Sequence, residues 1–380
     1  MEMNLPLWIY YVLGFPLLLG PLVTIHELGH YLVGRWFGVH AEAFSVGFGR
    51  EIWGFTDKRG TRWKLSALPL GGYVQFKGDM NPASIPDPDA AAQASAEERA
   101  GSFHHAALWK RALIVFAGPA TNILLTLAIF AGFFTLYGKP VPADAAEQLT
   151  VAEFAEISPA RAAGIEVGDR IVAIEDERME DFRDVQDSIM LYPGQTLDVT
   201  VERDGTERIF EVPVRSVEME DRFGNVSKVG LIGIASGAAS FDFEPQGPIA
   251  ALGLAVDHSL GIVDMMVTGI GQIFTGERSV QELGGPVKIA KFSGEQLSLG
   301  AMAFINFAAL ISLNLAFINL LPIPALDGGH LAFYAAEAVR RKPVGPRGTE
   351  VAYRAGVALV LMLMVFVTIN DLVSLPIFGR

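Results

Sequence analysis

The chain has 380 residues, 51% of them hydrophobic and 19% charged, with a positive mean hydropathy. That balance is richer in apolar residues than a soluble globular domain and makes a multi-pass membrane protein the first class to test. The absence of cysteine excludes disulfides and thiolate metal sites, so any metal must be held by His, Asp or Glu, and a net charge of −13 without a basic tail excludes nucleic acid as the main partner.

In chain order, four segments are long and apolar enough to cross a bilayer, near 7–33, 108–137, 302–321 and 353–373. The first has no Lys or Arg ahead of its apolar run, only Glu2, and the run is too long for a signal peptide core, so it is expected to stay in the protein. Residues 1–37 thus form the first span. Residues 38–80 read as a β-rich, membrane-associated loop, because AEAFSVGFGREIWGF and TRWKLSALPLGGYVQFKG alternate apolar and polar residues between glycines. Residues 81–105, rich in Pro, Ala, Ser and charge, read as a flexible linker, and 106–138 hold the second span.

Residues 142–237 have the pattern of a compact α+β domain, with strands in DRIVAIED and TLDVTVERDGTERIFEVPV, an Asp204-Gly205 hairpin turn, and helical spacing in EDFRDVQDSIMLY. The phrase SPARAAGIEVGDRIVAIEDERM closely resembles the core of a PDZ domain of the bacterial protease-associated kind. Residues 245–300 follow as amphipathic helices. In 248–276, Asp257, Asp264, Thr268, Gln272 and Thr275 fall mostly three or four apart, which favours a helix lying at the membrane surface over a fifth span. The third span and the LDG motif occupy 301–335, a basic loop 336–352, and the fourth span 353–375.

Charge sets the orientation. The loop between the first two spans carries Arg35, Arg50, Lys58, Arg59, Arg62, Lys64, Lys77 and further cations, and the one between the last two carries Arg340, Arg341, Lys342 and Arg347. By the positive-inside rule both are cytoplasmic, which puts the termini and the 142–300 region on the other side. That region has more than twice as many Asp and Glu as Lys and Arg.

The residues that carry chemistry begin with His26, Glu27 and His30, an HExxH motif inside the first span. Positions i and i+4 share a helix face, so both imidazoles can reach one zinc ion with Glu27 beside it as general base. Ionisable groups in a span are costly and are kept mainly where they do something. A catalytic zinc wants a third protein ligand and an open position for water. Glu51 lies at a tempting distance but in a strand-like loop. Asp327, in NLLPIPALDGGHLAF, lies at the cytoplasmic end of the third span, at the depth of the histidines, and is favoured. Pro322 and Pro324 cannot continue a regular helix and Gly328-Gly329 relaxes the backbone, so Asp327 is expected at a break lining a cavity. His330 reads as a neighbour of the site more than a fourth ligand.

HELGH in the first span, AGPATN at 117–122, NLLPIPALDGGH in the third and the PDZ-like domain between them together resemble the site-2 protease family of intramembrane zinc proteases, in the layout of its bacterial sigma-factor-regulating branch. One departure is a single PDZ-like domain where the best-known enterobacterial form has two. The resemblance implies a multi-pass α-helical membrane protein of about four spans in the bacterial inner membrane, its site toward the cytoplasm and its PDZ-like domain periplasmic. It implies Zn²⁺ held by His26, His30 and Asp327, with Glu27 as catalytic base. It also implies regulated intramembrane proteolysis of single-span proteins, such as an anti-sigma factor in a stress response after a first cut by an upstream protease, or signal-peptide remnants. Substrate contacts then fall on Asn319, Pro322, Gly71 and Gly72, although Gly71-Gly72 reads equally as a turn and Asn319 as a cap of the broken helix. The PDZ-like domain would bind a chain end or strand, or exclude bulky ectodomains. Two other classes stand beside this reading: a membrane metal carrier using the same His, Glu and Asp cluster, and a non-catalytic PDZ scaffold.

Overall fold

The computed structural model describes residues 6–78, 99–142, 148–220, 226–236, 241–276, 280, 283–342 and 345–374. Contacts divide the chain into two compact units, residues 1–130 with 279–380, and residues 131–278. The linker expected over 81–105 lies outside the described residues as far as 98. Its last part is packed, with Phe103 buried against Phe76 at 5.5 Å between ring centres.

In the first unit, helix α1 (Leu7–Trp36) leads into strands β1 (Ala41–Thr56) and β2 (Arg62–Phe76), then helix α2 (Leu108–Tyr137). The two long strands fold back on themselves. Thr56 faces Arg62 and Glu51 faces Ser66 in a hairpin, while Phe44, Ser45 and Val46 carry partners on both sides, Trp63, Lys64 and Leu65 on one and Val74, Tyr73 and Gly72 on the other. Residues 72–76 therefore form one edge of the sheet. Its core of Phe44, Val74, Phe76 and Phe103 packs with Tyr31 and Ile114 of the helices. Phe48, Ile52, Trp53, Leu65 and Leu68 stay exposed, an apolar surface suited to a lipid boundary.

Past residue 279 come α6 (Pro286–Ser298), α7 (Ala301–Leu320), α8 (Asp327–Arg340) and α9 (Pro346–Ser374). The basic loop expected over 336–352 is shorter than that, because its exposed charged residues extend the helices on either side. Small residues set the packing of α6 on α1: a Cβ added at Gly14 would lie 2.7 Å from Gly294 N, so the two backbones touch. Asp371, fully buried near the end of α9, accepts hydrogen bonds from the amides of Gly285, Val287 and Lys288 at 3.0–3.1 Å. It caps α6 from another helix, since no side chain of α6 itself does so.

The second unit contains β3 (Lys139–Pro142), β4 (Val151–Phe154), α3 (Pro159–Ala163), β5 (Arg170–Ile174), β6 (Glu177–Arg178), α4 (Phe182–Met190), β7 (Thr196–Arg203), β8 (Thr206–Pro213), β9 (Arg215–Glu220), β10 (Val226–Leu231), β11 (Ile234–Ser236), β12 (Phe241–Glu244) and α5 (Pro248–Thr275). A four-stranded antiparallel sheet has the order β6-β5-β7-β8, with two-stranded pairs β9/β10, β4/β11 and β3/β12. The β7/β8 hairpin turns on Asp204 and Gly205, both with positive φ, as the sequence predicts. Asp181 and Asp184 form a capping box on α4. Ile171, Val185, Val199, Val201 and Val212 fill the core. Among the described residues α5 is, beside the four expected spans, a fifth helix long and apolar enough to cross a membrane, yet its Gln272 side chain is buried and donates to the Leu191 carbonyl at 2.8 Å.

Asp169 is buried in this unit and paired with Arg203, whose Nε and Nη2 each donate to one carboxylate oxygen at 2.6 Å. Burial by itself would raise the Asp169 pKa, but the Arg203 fork and the Glu166 amide outweigh it and hold the carboxyl below its usual range. A carboxylate with a depressed folded pKa adds stability above its unfolded value of about 3.9, and that stability is lost as pH falls through the folded value. Acid unfolding of this unit should therefore begin below about pH 4. Arg203→Met leaves a buried charge without its cation and should cost about 3–5 kcal/mol at neutral pH, read as a lowered melting transition of the full chain that becomes smaller in acid.

Candidate metal centre

The site lies wholly within the first unit, where α1, α2 and the α7–α8 break meet the edge of the sheet. α1 places His26 and His30 one turn apart with their rings edge to face, 4.9 Å between centres. α7 ends at Leu320. Ala325, a non-glycine residue with φ of 96°, turns the chain so that Asp327 becomes the first residue of α8. Its Oδ2 then lies 3.1 Å from His26 Nε2 and 3.5 Å from His30 Nε2, while the two Nε2 atoms are 3.2 Å apart. Among the described residues, these three side chains are the group of metal-type ligands whose atoms lie within 4.8 Å of one another.

The glycines of the motifs have steric reasons. The sequence suggests that Gly328-Gly329 relaxes the backbone, but both sit in helix, and what they supply is room: a Cβ on Gly329 would lie 2.7 Å from Pro324 Cα, and one on Gly328 would strike the Leu320 and Leu321 carbonyls. Gly29 of HELGH meets Ala117 and Thr121 of α2, and Gly118 of AGPATN lies directly against both imidazoles. A side chain at either would push α1 and α2 apart.

His30 Nδ1 is 2.8 Å from the Ile114 carbonyl, which can only accept, so in a neutral ring the proton is on Nδ1 and Nε2 carries the lone pair. Asp327 Oδ2 is buried and has no hydrogen-bond donor. A carboxylate oxygen and an imidazole lone pair turned on one another repel unless a cation lies between them. That donor set of two nitrogens and one oxygen suits zinc. Glu27 accepts from the Val74 amide at 3.0 Å, so the outer edge of residues 72–76 abuts it. A cavity of about 230 Å³ joins these groups, lined by His26, Glu27, His30, Asn319, Asp327 and Tyr353 among others.

Of the other residues singled out in sequence, Glu51 is ion-paired to Arg62 at 2.5 Å on the sheet and takes no part in the cluster. His330 lines the cavity outside the ligand group, its ring 6.1 Å from Tyr353. Asn319 lines the cavity, whereas Pro322 is exposed in the break and does not. Gly71 and Gly72 lie within β2 and not in a turn. Gly71 has φ of 151° and faces Phe48, and Gly72 pairs with Val46, a Cβ there falling 3.7 Å from Glu27 Cγ. Gly118 and Asn122 enter the sequence only as members of the AGPATN motif, without individual roles, and Tyr353 carries no sequence signal. The signal for Asn122 was an amide inside an apolar span, where polar groups are costly.

A helical membrane protein with HExxH on one helix and an aspartate at a helix break is a membrane-embedded metallopeptidase in its architecture. The family model for peptidase family M50 matches residues 14–363, and the chain belongs to that family, the site-2 proteases. A protein of Agrobacterium fabrum bearing the name "Putative zinc metalloprotease" is 46% identical, with 96% of each chain covered. One of Rhizobium meliloti with the same designation is 44% identical, again over 96% of each. Metalloprotease MmpA of Caulobacter vibrioides is 34% identical over 95% of this chain and 94% of its own. The chain is a zinc metalloprotease of the membrane.

Proposed function

We propose that His26, His30 and Asp327 hold one zinc ion and that Glu27 is the general base of an intramembrane endopeptidase that cuts the spans of single-pass membrane proteins. The observation that carries this is the meeting of three ligand atoms within 4.8 Å beside Glu27 in one cavity. Zinc, when bound there, supplies Lewis-acid polarisation of the peptide carbonyl and acidifies the attacking water. Glu27 takes the water proton and delivers it to the leaving amine as the C–N bond breaks. The Val74 amide holds one Glu27 oxygen, so the edge strand fixes the base.

A peptide bond inside an intact helix is shielded, so the substrate must unwind. Residues 72–74 form an outer strand edge beside Glu27, along which an unwound segment adds as a further strand. Asn319 lines the cavity, which supports a contact from its amide to the segment's backbone. The basic loops support a site toward the cytoplasmic side of the bacterial inner membrane and a periplasmic 142–237 domain. There its PDZ-like fold binds or filters ectodomains, α5 lies along the surface, and an upstream protease has already shortened the substrate, an anti-sigma factor or a signal-peptide remnant.

The test is cleavage of model spans by detergent-purified protein. Stripping with a chelator should abolish cutting and one equivalent of zinc should restore it. Cutting that survives complete zinc removal would sink the proposal.

A further inference from the structure

The proposed ligands need their Nε2 lone pairs, and each ring then carries its proton on Nδ1, which must find an acceptor. His30 has the Ile114 carbonyl. For His26 the group at Nδ1 is the side-chain amide of Asn122, 3.3 Å away, fully buried and reached from the facing helix α2. The Asn122 nitrogen is the nearer atom, and its Oδ1 is buried without a donor. A half-turn of the amide exchanges the two atoms, gives Oδ1 a donor and gives the His26 Nδ1–H its acceptor.

The residue is fixed for this task. Its backbone carbonyl accepts from Ser312 Oγ of α7 at 3.0 Å, and the single Thr126 O–H is shared between the Asn122 and Ala309 carbonyls, at 3.0 and 3.1 Å. Ser312 and Thr126 are themselves fully buried. Asn122 is thus pinned between α2 and α7, on the face one turn beyond Gly118, whose lack of a side chain lets both imidazoles approach.

We propose that Asn122 is a positioning residue for the metal centre: its Oδ1 accepts from His26 Nδ1–H, holds the ring in the tautomer that leaves Nε2 to the zinc, and sets its angle. This rests on the assignment of His26 as a ligand. Removing a group that orients a ligating histidine typically costs about 10–100-fold in metal affinity.

The experiment measures zinc affinity by chelator competition in wild type, Asn122→Leu, Asn122→Asp and His26→Ala, with the absorption spectrum of the cobalt-substituted proteins and the melting temperature in chelator. Asn122→Leu should bind zinc 10–100-fold more weakly and alter the cobalt bands, with a melting temperature in chelator close to wild type. Asn122→Asp, still an acceptor, should hold zinc at least as well as wild type. Zinc affinity within twofold of wild type in Asn122→Leu overturns the proposal. Should that variant not fold, a tenfold loss in Asn122→Asp overturns it instead. Full zinc binding in His26→Ala would overturn the ligand assignment itself, a distinct failure.

Discussion

Glu27→Gln is expected to keep its zinc and lose its proteolysis. Glutamine is the same size and its Oε1 still accepts from the Val74 amide, so the contact between α1 and the edge strand survives. Its neutral amide cannot take a proton from water. General-base catalysis contributes about 10²–10⁴ in rate, and the variant should fall by at least that factor on any model span while zinc per chain stays at the wild-type value. Activity within tenfold of wild type would remove Glu27 from the mechanism.

The second large effect comes from the smallest change. In Gly118→Ala the new methyl carbon would lie 2.7 Å from His26 Nε2 and would overlap the His30 ring outright. Neither neighbour is a flexible chain end, since Ile114 holds one ring and Asn122 the other. The ligand atoms must therefore move out of reach of one ion. Zinc affinity should drop by at least the roughly 10–100-fold that losing an orienting partner costs. Alanine favours helix over glycine by about 1 kcal/mol, so the melting temperature in chelator should fall far less than zinc binding does. Equilibrium dialysis against zinc, beside thermal melts, separates the two. Undiminished zinc binding would mean that the helices separate at no cost to the site.

Much of the site was legible because it is written in spacing. His26 and His30 share a face by the period of a helix, and Asp327 was chosen over Glu51 by depth and sidedness, which charge in the loops supplied. The prolines announced the break after α7. What the sequence did not show depends on how helices cross. Asn122 meets His26 only because Gly29 and Gly118 let α1 and α2 touch, and no periodicity reveals a crossing point. Nor does composition reveal that Ala325, an ordinary residue, takes the left-handed conformation at the break, or that Asp371 caps a helix more than eighty residues before it. The ends of α8 and α9 escape the sequence for a simpler reason: exposed helical turns carry charge as well as loops do.

The bond from Val74 to Glu27 has a further consequence for the proposed substrate strand along residues 72–74. A complete ladder would give every inward-facing carbonyl of the incoming chain a backbone donor. Here the Val74 donor is already taken by Glu27, the proposed general base, so such a ladder would have a missing rung beside it. On the proposed mechanism a guest carbonyl at that rung would arrive without a partner, beside Glu27, where an unquenched carbonyl is wanted. Register and reactivity would then be set by the same omission, and the cut would fall where the pairing fails.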